Sequence, residues 1–76
     1  LLSDLKPGEG GVVIQIVGGQ GLRQKLALRG IKEGCYLRVV SSSSGPLVVE
    51  SNGLQIAMGR GMARKVIVKP IGRRFP

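Results

Sequence analysis

Two groups of cationic side chains are the residues of this sequence best suited to chemistry, and that chemistry is the binding of anions. The first group lies in one short stretch and comprises Arg23, Lys25, Arg29 and Lys32. The second lies towards the end of the sequence and comprises Arg60, Arg64, Lys65, Lys69, Arg73 and Arg74. With a net charge of +8 at neutral pH, they favour a polyanionic partner, either nucleic acid or the anionic inner face of a membrane.

Aromatic side chains for nucleic-acid binding are scarce. Proteins that bind single strands stack aromatic rings on the bases, and this sequence offers only Tyr36 and Phe75. Charge alone gives a non-specific attraction that weakens as salt is added. We therefore expect weak, non-specific polyanion binding and no stable nucleic-acid complex, and a basic nucleic-acid-binding module of ribosomal (KOW) type stays open as an alternative.

Catalytic and metal-ligating residues are also scarce. The sequence has no histidine and one cysteine, Cys35, which therefore has no imidazole to activate it as a nucleophile. The four acidic residues are scattered, with no pair at helical spacing: Asp4, Glu9, Glu33 and Glu50. Since a transition-metal site usually takes several cysteine, histidine or carboxylate ligands, we expect neither an enzyme nor a dedicated metal site.

A glycine-rich stretch, Gly18-Gly19-Gln20-Gly21, precedes the first cationic group. Glycines at the start of a helix can bind phosphate through free backbone N–H groups. However, the dinucleotide pattern GxGxxG and the P-loop Gly-Lys-Ser/Thr are both missing. The stretch is therefore interpreted as a turn, and no cofactor is expected.

The first cationic group is predicted to lie on a short helix between two strands. The helix runs over about residues 22–29 and ends at Gly30, which can adopt the left-handed conformation without steric cost. The second strand begins near Tyr36, with Leu37 and Val39 inward. The first strand covers residues 11–17, and the face expected in the core consists of Val12, Ile14 and Ile16.

The helix has one leucine too many for a single buried face. Leu22 and Leu26 lie four residues apart and are expected to pack on the sheet as a lid. Leu28 falls well off that face, so it either fills a second pocket or is exposed. The residues expected to contact a partner are Arg23, Lys25, Leu28, Arg29 and Lys32.

A hairpin and a closing strand are predicted in the second half. Asn52-Gly53 is typical of a type I′ turn, and the residues around it expected to face inward are Leu47, Val49, Leu54, Ile56 and Met58. Residues 59–63 are predicted to form a loop or one helical turn. Residues 65–69 form the last strand, which Pro70 ends.

Five short strands with a helix after the first indicate a mostly β fold, a small, partly open SH3-like barrel. An OB-like barrel, which also has five strands, is the alternative. The barrel domain is predicted over residues 1–70, and residues 71–76 are predicted to be a basic, disordered tail.

The order and spacing of these features resemble the FeoA family, the small cytoplasmic proteins of ferrous iron uptake in bacteria and archaea. The basic run Arg23-Gln24-Lys25-Leu26 is followed at the family's spacing by Gly30-Ile31, Gly34 and the strand Leu37-Arg38-Val39-Val40. The segment Asn52–Met58 matches the family's closing half. Departures from the family pattern affect the surface of the helix end and of the last loop, at Arg29, Glu33, Gly59 and Met62.

The resemblance implies a function. A FeoA-like protein would support or regulate FeoB, a membrane ferrous-iron permease with a cytosolic GTPase domain, by contact through the helix, the turn after it and the 59–64 loop. Iron and GTP would then act at the partner, and the protein would be cytoplasmic, at the inner face of the membrane when bound. The SH3-like module also resembles the C-terminal domain of iron-dependent repressors, so an excised repressor domain is a further alternative.

Overall fold

A computed structural model describes residues 1–43 and 45–71 of the chain. A short 3₁₀ turn, Leu2–Asp4, precedes five strands and two helices. In chain order these are β1 Gly10–Ile16, α1 Gln20–Leu28, β2 Tyr36–Ser41, β3 Leu47–Ser51, β4 Leu54–Met58, α2 Arg60–Ala63 and β5 Val66–Ile71.

The strands form one antiparallel sheet in the order β4-β3-β2-β1-β5. This arrangement confirms the mostly β, five-stranded prediction with a short helix after the first strand. The sheet does not close, because β4 and β5 are its two edges and each pairs with one neighbour within the described residues. One face of the sheet and the inner sides of both helices enclose the apolar core.

The core draws on every strand and on both helices. Two leucines near the N-terminus, Leu2 and Leu5, are also buried in it. Leu37 and Val39 of β2 face inward as predicted. The buried apolar residues are Leu2, Leu5, Val13, Ile16, Leu26, Ile31, Leu37, Val39, Leu47, Val49, Met58, Ala63, Val66 and Val68.

The predicted core face of β1 is wrong over its first half. Val13 is buried, whereas Ile14 is 54% exposed. The cause is a β-bulge: β1 pairs Val13 with Val68 and Gln15 with Ile67, so Ile14 has no partner in β5. An extra residue in one strand reverses the alternation of faces beyond it, which returns Ile16 to the core as predicted.

The turn between β3 and β4 is confirmed. Asn52 and Gly53 have φ of 53° and 82°, as a type I′ turn requires at both central positions. The inward placement of Leu54 is wrong, since its side chain is 65% exposed. Leu54 directly follows the turn on an edge strand, opposite Ser51, and no described residue covers it there.

The C-terminal part follows the prediction with one correction. Arg60–Ala63 forms a single helical turn, α2. The last strand is Val66–Ile71 and continues through Pro70, because β5 is an edge strand and a proline there can direct its missing N–H away from the ladder. Residues 72–76, which make up the remainder of the predicted tail, lie outside the described residues.

Two glycines of β1 lie in very close contact with neighbouring backbone. A Cβ atom on Gly11 would lie 2.5 Å from the carbonyl oxygen of Lys69 in β5, whereas a Cβ on Gly21 in α1 would meet nothing within 4 Å. Gly11→Ala is therefore expected to destabilise the fold by about 1–3 kcal/mol through overpacking. Gly21→Ala is expected to stabilise it by about 0.5–1 kcal/mol through helix propensity.

Urea unfolding of both variants and the parent protein measures these changes. Because each variant adds the same single methyl group, Gly21→Ala is the matched control for Gly11→Ala. Equal stabilities for the two variants would show that the β1–β5 contact is not as close as described.

Candidate functional site

The end of α1 is fixed by a complete Schellman motif. Gly30 has φ of 84°, and its N–H donates to the carbonyl of Ala27 at 2.9 Å. The N–H of Ile31 donates to the carbonyl of Leu26, also at 2.9 Å. Leu26 and Ile31 are both buried in the core, which is the apolar pairing that accompanies this motif. The helix end therefore has one orientation relative to the sheet.

This orientation places the three leucines of α1 differently. Leu26 is 1% exposed, and Leu22 is partly buried against the core, which confirms the predicted lid face. Leu28 is 88% exposed, so of the two alternatives for it, exposure is correct. An isoleucine three residues beyond the helix, Ile31, is fully buried in the core instead.

Leu28 has cations close to it at the end of the helix. Lys25, three residues earlier, is its neighbour on the helix surface, because residues three and four apart lie side by side there. Arg29 is the next residue along the chain and forms the C-cap of the helix. Both cations are exposed. Like charges four residues apart destabilise a helix by a few tenths of a kcal/mol. We call the set Arg23, Lys25, Leu28, Arg29 and Lys32 the helix face.

Arg23 differs from the other cations of the helix face because it forms an ion pair. Its guanidinium donates through both terminal nitrogens to one oxygen of Glu33, at 3.1 and 3.2 Å. Both side chains are more than two-fifths exposed, so the pair contributes at most about 1 kcal/mol. The pair ties the first turns of α1 to the turn that precedes β2 and thus helps to position Lys32.

The remaining carboxylates leave the helix face positively charged. Asp4 bonds the N-terminal ammonium group, Glu9 accepts from the backbone N–H of Lys6, and Glu50 pairs with Arg38 of the neighbouring strand. These three and Glu33 are all the acidic residues of the chain. Among the described residues, therefore, Lys25, Arg29 and Lys32 have no ion-pair partner.

The second cationic group is not one surface. Arg60 projects from α2 towards the connection between β2 and β3, where its guanidinium donates to the backbone carbonyls of Ser42, Ser43 and Gly45. Arg60 therefore has a structural role, since it holds the β2–β3 connection against α2. Nothing in the sequence predicts that this arginine contacts the serines. Arg64, Lys65 and Lys69 are exposed, and Arg73 and Arg74 lie outside the described residues.

An open groove of about 320 Å³ on the outer face of the sheet was not anticipated from the sequence. Its lining combines the Arg38–Glu50 ion pair with an aromatic ring and the hairpin turn: Tyr36, Arg38, Glu50, Asn52 and Gly53. The ring of Tyr36 lies across Gly10, where any side chain would collide with it. The strand register could have revealed this groove, since Arg38 pairs with Glu50 directly across the β2–β3 ladder.

The described residues contain neither a cluster of metal ligands nor a membrane-spanning helix. Within residues 1–43 and 45–71, no three histidine, cysteine, aspartate or glutamate side chains come close enough together to hold a metal ion. Cys35 is half-buried and packs against the core. Neither described helix has the length and apolar character needed to cross a lipid bilayer.

The open five-stranded sheet, with a basic helix inserted after its first strand, defines a small SH3-like domain. Residues 1–70 match the family model of the FeoA domain, and the chain belongs to the FeoA family. The curated "Putative Fe(2+) transport protein A" of Methanocaldococcus jannaschii is 38% identical to it over 68 residues, which are 90% of this chain and 83% of that protein.

Solved structures agree with this assignment. An iron uptake regulatory protein (FeoA) superimposes with a TM-score of 0.86 at 37% identity, over 92% of this chain and 93% of its own. The zinc complex of Stenotrophomonas maltophilia FeoA, described as a prokaryotic SH3 domain protein, gives a TM-score of 0.78 at 23% identity over 90% and 87% of the two chains. The second likeness concerns the fold alone and supports its SH3-like character.

The repressor likeness noted from the sequence is also found at the level of the fold. A manganese-dependent transcriptional repressor gives a TM-score of 0.83 at 22% identity, over 92% of this chain but 40% of its own.

Arg60 provides a test of the described contacts. Arg60→Ala removes the donor to three carbonyls of the β2–β3 connection and is expected to cost about 1–2 kcal/mol of stability. The matched control is Arg64→Ala. Arg64 is exposed and directly follows α2, so its loss should change stability by less than about 0.5 kcal/mol. Thermal unfolding monitored by circular dichroism compares the two, and equal melting temperatures would contradict the structural role of Arg60.

Proposed function

We propose that this protein is an accessory factor of ferrous iron uptake that acts by binding the cytosolic part of a FeoB-like permease through the helix face. Membership of the FeoA family supports the link to iron uptake. The observation that carries the choice of surface is Leu28, an aliphatic side chain 88% exposed on a rigidly held helix end. Burying it in a partner would remove most of that apolar area from water.

The composition of the helix face fits a docking site. Binding energy at interfaces comes from a few desolvated anchors, while charges at the rim speed encounter and fix orientation. Leu28 is the anchor in this scheme, and Lys25, Arg29 and Lys32 are the rim. Their unpaired positive charges match an acidic or amphipathic surface on the partner. The Schellman motif holds the anchor in place, so little conformational entropy is lost on binding.

In this proposal the protein supplies no chemistry of its own. It is not an enzyme and holds no cofactor; ferrous iron and GTP act at the permease. It is cytoplasmic and lies at the inner face of the membrane when the permease is bound. The proposal favours this function over a nucleic-acid-binding module or an excised repressor domain, because the family model and a 38% identical relative both belong to iron transport.

The helix face is tested by Leu28→Ser combined with Arg29→Glu. The double substitution removes the anchor and reverses one rim charge, so binding to the permease's cytosolic domain and iron uptake should both fall. The fold should persist, since exposed substitutions typically cost within about 0.5 kcal/mol each. Isothermal titration with the purified cytosolic domain and iron uptake in cells measure the two effects.

Two further variants sharpen that experiment. Ile71→Ser with Lys69→Glu makes changes of the same kind, aliphatic to serine and cation to carboxylate, at exposed positions of β5 and should leave binding unchanged. Leu26→Ser should destabilise the domain by roughly 2–5 kcal/mol, because Leu26 is buried. Normal binding and uptake by the Leu28/Arg29 variant would refute the helix face as the docking site.

The nucleic-acid alternative makes a separate prediction. Binding to mixed oligonucleotides should be weak and should fall steeply as the salt concentration rises, since it arises from charge alone. Fluorescence anisotropy over a salt series measures this dependence. Tight binding to one sequence at high salt would favour the nucleic-acid function instead.

A further inference from the structure

The two edges of the sheet differ in how they are protected from pairing with another strand. Natural proteins block exposed edges with charged residues and prolines. The β5 edge carries both, in Lys69 and Pro70. The β4 edge, Leu-Gln-Ile-Ala-Met, carries neither a charge nor a proline. β4 is thus an accessible edge strand without the usual protection.

The register of the hairpin shows which backbone groups β4 offers. The two-residue turn pairs Ser51 with Leu54, and Val49 then pairs with Ile56. In an antiparallel ladder hydrogen-bonded and non-hydrogen-bonded pairs alternate, and the pair that closes a two-residue turn is hydrogen-bonded. The N–H and C=O groups of Gln55 and Ala57 therefore point away from β3. Within residues 1–43 and 45–71 they make no turn or loop hydrogen bond, and both residues are exposed.

The segment that contains β4 carries few charged side chains, which affects how easily a second copy of this basic chain can approach the β4 edge. All 12 lysines and arginines lie in residues 1–38 and 60–76, and residues 39–59 contain a single charged side chain, Glu50. Glu50 is itself paired with Arg38. The nearest cation along the chain, Arg60, directs its guanidinium to the carbonyls of Ser42 and Ser43. Two copies of a +8 protein repel each other over most of their surfaces, but here they can meet without opposing cations.

We propose that β4 is a self-association edge, at which a second copy of this chain pairs antiparallel about a two-fold axis at Ile56. In that register Gln55 of one copy lies opposite Ala57 of the other, and the reverse holds by symmetry. Each such pair exchanges two backbone hydrogen bonds. All the outward backbone groups of Gln55 and Ala57 are thereby satisfied, and two sheets become one continuous sheet.

Side chains of β4 support the same register. Leu54, Ile56 and Met58 share one face of the strand; Leu54 is largely exposed and Ile56 partly buried. In the proposed pair Ile56 lies opposite its own copy, and Leu54 lies opposite Met58 of the other copy. Apolar cross-strand pairs of this kind stabilise sheets. The association covers the exposed Leu54, and because it involves a single strand it belongs to the weak, transient class of interfaces.

This proposal does not depend on the proposed function. In the sheet, β2 and β3 separate β4 from β1, the strand that leads into α1. Self-association at β4 uses no residue of the helix face. A dimer would carry two copies of that face.

Sedimentation velocity over a wide concentration range tests the proposal with four proteins. The parent should show a sedimentation coefficient that rises with concentration. Gln55→Lys should weaken association by about tenfold, since it places two like charges at diagonal positions across the new ladder, within reach of long side chains. Gln15→Lys, on the inner strand β1, adds the same charge at another exposed glutamine and should associate nearly like the parent.

The fourth protein, Ala57→Pro, removes the outward N–H, which β3 does not use, so the monomer should fold and self-association should be lost. Hydrogen exchange gives a site-specific readout. The amides of Gln55 and Ala57 should become more protected as concentration rises, while those of Leu54 and Ile56 should change little. Melting curves establish that each variant is folded.

Three results would overturn the proposal. The first is a parent protein that sediments as a monomer at every concentration. The second is equal association of Gln55→Lys and Gln15→Lys. The third is concentration-dependent protection at β5 or α1 rather than at β4. If the first result is accompanied by loss of permease binding in Gln55→Lys, β4 pairs with a different partner.

Discussion

The register of β1 is the constraint on which the rest of the structure depends. β1 is the only described strand that pairs with both β2 and β5, and it leads directly into α1. Two adjacent glycines at its start, Gly10 and Gly11, let the Tyr36 ring and the backbone of Lys69 approach closely. The bulge at Ile14 then shifts the alternation, so that Val13 and Ile16 both reach the core. A domain of this size has one small core, so a different register in β1 would leave that core incomplete.

The helix that follows β1 is held by few side chains. Leu26 is its one fully buried residue, and the Schellman motif fixes the turn that brings Ile31 into the core beside it. A helix of this length is not stable alone in water, and its like charges at Lys25 and Arg29 do not help it. The tertiary contacts of Leu26 and Ile31 therefore stabilise a helix whose outer side is free to serve another purpose. In the proposed function that purpose is recognition by Leu28 and the cations around it.

Features set by local pattern could be predicted from the sequence. Gly30 ending the helix, Asn52-Gly53 in a type I′ turn and the burial of Leu26 all follow from short-range rules, and the resemblance to FeoA was carried by the same glycines. The exposure of Leu28 was left open, because helical spacing shows that it leaves the lid face but not whether a second pocket exists.

The errors have a common cause in long-range structure. The bulge at Ile14 is defined by its pairing with β5, more than fifty residues later in the chain. Leu54 is exposed because its strand is an edge, and Pro70 fits within β5 because that strand is the other edge. Arg60 donates hydrogen bonds to carbonyl groups 15 and 17 residues earlier in the chain, those of Gly45 and Ser43. The alternation of apolar and polar residues within one segment does not predict these features, because each of them depends on which strands are neighbours in the sheet.

The β3–β4 hairpin carries almost no charge of its own. It contains one ionised side chain, the carboxylate of Glu50, and the guanidinium of Arg38 on the neighbouring strand pairs with that carboxylate. The net positive charge of the chain therefore comes from residues outside the hairpin. An anionic surface attracts those residues, and it does so mainly within a Debye length, about 8 Å at physiological ionic strength. Electrostatic attraction alone thus gives the hairpin no preference for such a surface.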